Sequence, residues 1–179
     1  MEATSILARW HELYFLLAST AGVLVGLLFI VMSLHLDKIK DLSDANIRFA
    51  LDASRNNTYH LLTAFLEASL VLTPQPLALL GLEVFALSLY GLRLPLGITY
   101  TYWKKDIAFG ARNRFPTGTI ATVASSYLFG MVGGLALIRH LEWGLYFLTG
   151  SLLMLLVRSV LNAWRLLFVR KSADKNESN

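Results

Sequence analysis

Long apolar runs separated by short polar stretches set the pattern of this chain. The first run extends from Tyr14 to Leu34 (YFLLASTAGVLVGLLFIVMSL). A hydrocarbon core of about 30 Å takes roughly 20 residues of helix at 1.5 Å rise each, and this run fits that length. It is too long for the apolar region of a signal peptide. Only Arg9 supplies positive charge ahead of it, and no small-x-small cleavage site follows, so it reads as a retained helix.

Residues 35–58 are polar and mixed in charge. Arg48 and Asp52 at i,i+4, and Asp52 and Arg55 at i,i+3, support a helix there. The pattern predicts one long helix from about Asn46 to Leu72, wet at first and embedded from about Tyr59. Thr73-Pro74-Gln75-Pro76 ends it, because prolines cannot continue a helix. An apolar run from Leu77 to Leu92 follows at once, which predicts a tight antiparallel hairpin. Arg93 and Pro95 are expected to close this third helix. Residues 93–118 then read as a basic, aromatic loop. The fourth run covers 119–138, Arg139-His140-Leu141-Glu142 is a turn, and the fifth run covers 143–163. The tail 171–179 is expected to be disordered.

The expected fold is therefore all-α: one membrane domain over 1–170, a five-helix bundle with spans at about 14–34, 59–73, 77–92, 119–138 and 143–163. The alternative is four spans, with the second run left outside the bilayer. Composition agrees, at 55% hydrophobic and 16% charged residues against about a quarter charged in soluble domains. There is no cysteine, which excludes disulfides, thiolate metal sites and cysteine nucleophiles.

Charge sets the orientation. With five spans, 13 of the 16 Lys and Arg residues fall on one side, in 35–58, 93–118 and the C-terminal segment; Arg9 and Arg139 fall on the other, and Arg158 lies within the last span. The positive-inside bias places the first group in the cytoplasm, with the N-terminus out and the C-terminus in. Trp10 and Trp143 then mark the outer interface, and Trp103 and Trp164 the inner one.

Glu67 and Glu83 are the candidate proton or cation site. They stand seven residues before Pro74 and seven after Pro76, each roughly 10 Å from the hairpin tip and at equal depth on adjacent helices. Ionisable groups at such depth face the bundle interior, and two carboxylates sharing a site hold a proton or a cation. The competing reading is two carboxyls that fix helix packing through Thr63, Ser69, Ser88 or Tyr90. Arg158 lies too deep to serve as their counter-charge, roughly 22 Å below Trp143, and is expected to extend to the inner interface. Ala18, Gly22 and Gly26, and likewise Ser126, Gly130 and Gly134, form small-residue stripes for close helix packing, within one protomer or between copies. Lys104, Lys105, Arg112 and Arg114 are expected to contact anionic lipid rather than nucleic acid. His11, Glu12, His140 and Glu142 are metal-ligand types, but they are also ordinary interface residues, and we assign no metal.

No catalytic motif is present, so we expect no enzyme and no cofactor. Trp10-x-x-x-Tyr14-Phe15, followed by the Ala21-to-Leu36 stretch AGVLVGLLFIVMSLHL, resembles the start of a group of uncharacterised small bacterial multi-pass membrane proteins. That resemblance implies a bacterial inner-membrane location and supplies no site residues. The leading functional expectation is an accessory or regulatory subunit that binds another membrane protein. The alternatives are an oligomeric ion channel or proton/cation-coupled carrier using Glu67 and Glu83, and a pore-forming, membrane-perturbing effector. The bilayer is the common partner in all three readings.

Overall fold

The computed structural model describes the backbone of residues 2–39, 44–109 and 117–176, and side chains within 9–30, 33, 55–93, 96–97 and 121–163. The described residues form five helices: α1 (Glu2–Ile39), α2 (Asp44–Leu72), α3 (Leu77–Phe109), α4 (Thr117–Ile138) and α5 (Gly144–Asn176). The all-α fold agrees with the apolar runs, but the ends differ from expectation. α3 continues through Pro95 to Phe109, where a loop was expected. A proline removes one intrahelical hydrogen bond, and a helix embedded among others tolerates that loss. α5 continues past Lys171 to Asn176, into the expected disordered tail.

Fewer stretches than the five expected are long and apolar enough to span by themselves. Among the described residues, three stretches are long and apolar enough to cross a bilayer: Arg9–Ile30, Ala121–Ile138 and Gly144–Ala163. α2 is polar up to Thr58, and its remainder, 59–72, is shorter than the hydrocarbon core at 1.5 Å per residue. In α3, Glu83 and Arg93 interrupt the apolar run.

α1 packs on α2, α2 on α3 and α5, α3 on α4, and α4 on α5. The 73–76 turn, Arg9 and the 139–143 turn share one end of the bundle, called here the turn end. The Arg9 guanidinium pairs with Glu142 Oε2 at 3.0 Å, and Trp10 meets Tyr146 edge-on with ring centroids 4.6 Å apart. α4 ends in a Schellman motif: Leu141 N donates to Ala136 O, His140 N donates to Leu137 O, and His140 sits at φ 60°. A non-glycine residue in that left-handed region is strained by roughly 1 kcal/mol or more.

Glycines set how closely α3, α4 and α5 approach. A Cβ on Gly81 would lie 2.6 Å from both Gly134 O and Ile138 N, and one on Gly144 would lie 2.6 Å from Gly133 O. Backbone therefore touches backbone at both crossings, as small residues permit in membrane bundles. The Ser126-Gly130-Gly134 stripe is buried inside the protomer. The α1 stripe is not uniform: Ala18 is buried, Gly22 rests against Phe65, and Gly26 has open space.

Leu80, Val84, Leu137, Leu145, Leu148, Leu152 and Leu155 fill the core. Phe15, Leu16, Val23, Phe29, Leu82, Tyr90, Tyr146 and Val157 point outward. So much contiguous apolar surface is foreign to a water-soluble monomer and natural against lipid.

Candidate functional site

Several polar side chains are buried inside the bundle. Asn57, His60 and Glu67 on α2 are buried, and they share one face with Leu61, Ala64, Ala68 and Val71 at helical spacing. That face looks into the space bounded by α3, α4 and α5.

Glu67 is fully buried. Its Oε1 accepts a hydrogen bond from Ser88 Oγ of α3 at 2.9 Å, and its Oε2 is buried with no hydrogen-bond partner. Ser151 of α5 is also fully buried, and its hydroxyl likewise has none. Gly130 of α4 lies between the two serines. A Cβ there would collide with Ser88 Oγ and would lie 3.2 Å from Ser151 Oγ. Three helices thus bring oxygen atoms to the place where a fourth has no side chain.

Glu83 takes a different course. It is half-buried, and its Oε2 accepts a hydrogen bond from Gln75 Nε2 at 3.0 Å. Gln75 also donates to Leu70 O, closing the hairpin turn. The two glutamates therefore have separate partners. The reason is elementary: every helical side chain leans toward its own N-terminus. On antiparallel α2 and α3 that lean carries Glu67 away from the turn, into the bundle, and Glu83 toward it.

A second polar pair lies deeper, on the side of Glu67 away from the turn end. His60 Nδ1 and the Tyr127 hydroxyl are 2.8 Å apart. Beyond it, Asn57 Nδ2 donates to Ser159 O at 3.1 Å, while Asn57 Oδ1 and Ser159 Oγ are buried without partners. Arg158 is buried, not extended to the interface as expected. It lines an open apolar groove of about 300 Å³ with Thr122, Leu153, Met154, Val157 and Leu161. At the turn end, the Tyr14 hydroxyl donates to Leu145 O at 2.8 Å and accepts from Thr149 Oγ1 at 3.1 Å. Tyr14→Phe is expected to destabilise the protein by only about 1 kcal/mol in detergent thermal unfolding, because Thr149 still bonds Leu145 O.

The sequence reading identified Glu67 and missed Asn57, His60, Tyr127 and Ser151. A helical projection of 57–71 holds the missing signal, since Asn57 and His60 fall on the same stripe as Glu67. Among the described residues no group of three or more His, Asp or Glu side chains is placed to hold a metal. Glu142, one of the four metal-ligand types at the helix ends, is engaged by Arg9. Arg112 and Arg114, with the side chains of Lys104 and Lys105, lie outside the described residues, so the lipid-contact expectation falls outside the structure. No family model matches this chain, and neither a curated protein nor a solved structure matches it.

Proposed function

We propose that this chain is a small membrane carrier component of five spans, N-terminus out, in a bacterial inner membrane, and that Glu67 is the group that takes up and releases a proton or monovalent cation. One observation carries the reading: a completely buried carboxyl with one oxygen left without a partner. An ionisable group at membrane depth is costly and is a functional candidate by default. Packing alone would be served better by an apolar residue of similar volume. The polar stripe of α2, continuing to His60, Tyr127 and Asn57, supplies further polar groups away from the turn end.

The test is flux. Purified protein in liposomes, driven by a potassium diffusion potential, is expected to move protons or sodium at a rate that falls at least tenfold in Glu67→Gln. Equal rates for the two proteins, or no flux above empty liposomes, would sink the reading.

Five spans require α2 and α3 to be embedded although neither is wholly apolar. Packing of α2 against α1, α3 and α5 supports this, because a shielded helix need not be apolar all round. The natural absence of cysteine makes single-cysteine labelling clean. Ser5→Cys and Thr73→Cys are expected to react with an impermeant maleimide in intact cells, and Asn113→Cys and Ser172→Cys only after permeabilisation. Protection of Thr73→Cys in intact cells would favour the four-span arrangement.

A second reading, an accessory subunit, rests on α1. It has the smallest buried share of the three apolar stretches, and Val23, Leu27, Phe29 and Ile30 are exposed around an open Gly26. Mild-detergent affinity purification that brings down a stoichiometric second membrane polypeptide, lost in Gly26→Leu, would favour it.

A further inference from the structure

We propose that the occupant of the Glu67 site is a desolvated monovalent cation of sodium size, held by the Glu67 carboxylate with the Ser88 and Ser151 hydroxyls, beside the backbone of Gly130. The proposal rests on the reading of Glu67 as a binding group, and it names what binds there.

Three observations point the same way. First, the donor set is all oxygen: a carboxylate from α2 and hydroxyls from α3 and α5, each on a fully buried side chain. Hard cations choose such ligands. Second, two of these oxygens, Glu67 Oε2 and Ser151 Oγ, have no hydrogen-bond partner. A buried hydroxyl left unsatisfied costs about 1–3 kcal/mol, and several serines in this bundle bond a carbonyl in their own helix instead. Ser126 does so with Thr122 O and Ser69 with Phe65 O. Ser151 does not. Third, both serine hydroxyls pack against the backbone of Gly130, which brings the α3 and α5 oxygens beside one another.

Charge and spacing decide the class of occupant. One carboxylate is neutralised by one positive charge, whereas a divalent ion would leave a net charge buried in hydrocarbon. A proton on Glu67 would leave Ser151 Oγ without a partner, whereas an ion engages both groups. Ser88 Oγ, which bonds Glu67 Oε1, and Ser151 Oγ both border the Gly130 backbone, so the carboxyl and the two hydroxyls form one cluster. The other nearby oxygens are engaged elsewhere, the Tyr14 hydroxyl by Leu145 and Thr149, and the Tyr127 hydroxyl by His60.

The decisive variant is Ser151→Ala. Were Ser151 merely structural, removing an unsatisfied hydroxyl would leave stability unchanged or raise it, whatever salt is present. As a cation ligand, its loss must abolish a salt-specific stabilisation. The experiment is thermal unfolding of the full-length protein in detergent, with sodium, lithium, potassium or choline chloride at constant ionic strength. Sodium at about a hundredfold its dissociation constant is expected to raise the wild-type Tm by roughly 5–10 °C over choline. Glu67→Gln, Ser151→Ala and Gly130→Ala are expected to lose that rise. Ser151→Ala in choline should melt no lower than wild type, which separates a lost ligand from a lost fold. Identical wild-type melting in all four salts would overturn the proposal. So would a full sodium effect in Ser151→Ala. Proton flux that needs Glu67 but ignores sodium would overturn the cation and leave the carrier reading standing. A sodium-specific Tm rise with no flux would do the reverse.

Discussion

Gly81→Val is expected to cost the protein more than about 3 kcal/mol and to remove most of the folded population from a mild-detergent preparation. Overpacking by a methylene or two usually costs about 1–3 kcal/mol, because side chains shift to make room. No side chain can yield here. The first added carbon already lies 2.6 Å from a carbonyl oxygen and an amide nitrogen of α4, so a whole helix must move. That movement would also open the seam at Gly134, whose own Cβ would lie 2.8 Å from Gly81 O. Gly134→Val should therefore behave alike. The double variant should cost much less than the sum, since the first substitution has already parted the helices. Gly26→Val on α1 serves as the control. Its Cβ meets nothing, and no loss of stability is expected. Size-exclusion profiles and thermal unfolding of the four proteins would show the pattern. Equal loss from Gly26→Val and Gly81→Val would mean that the close α3–α4 crossing is not what holds the bundle.

The other large effect is at Glu67, where function and stability should move in opposite directions. Glu67→Gln keeps the shape and can still accept the Ser88 hydrogen bond, but it neither ionises nor neutralises a cation. Flux should fall at least about tenfold with little change in folding. Glu67→Leu removes the buried polar atoms altogether. Ser88 can then turn to a carbonyl of its own helix, as Ser69 and Ser126 already do. In salt-free buffer this variant is expected to be more stable than wild type by about 1–3 kcal/mol, and inactive. A carboxyl retained for packing alone would give the opposite sign, with Glu67→Leu destabilised and flux, if any, preserved. Paired measurements of Tm and flux on the same preparations decide it.

The helices were legible because burial in a membrane bundle leaves long apolar runs, and Thr73-Pro74-Gln75-Pro76 marks the hairpin with chemistry that nothing else imitates. Helix ends were less so. Pro95 reads locally as a stop, yet α3 passes through it to Phe109. The place of Glu67 on the hairpin, seven residues before Pro74, was legible in the sequence. Its separation from Glu83 was not, because counting residues gives height along a helix but ignores the lean of each side chain. Asn57 was hidden by its neighbourhood, a polar-looking stretch read as wet although one stripe of it turns inward, and His60, just inside the stretch read as embedded, was not singled out. Ser151 carries no signal in the sequence at all. A serine between Gly150 and Leu152 becomes notable only when its hydroxyl is found without a partner.

The complete enclosure of Glu67 has a kinetic consequence. A group with no accessible surface cannot exchange its ion at the rate of diffusion through a standing pore. On the proposed carrier reading, each loading and each release must wait for α2 to part from its neighbours, and collective helix motions of that kind take microseconds to milliseconds. The turnover number is then set by how often the bundle opens, on the order of a thousand events per second or fewer. Its temperature dependence should follow the helix contacts rather than the mobility of the ion in water.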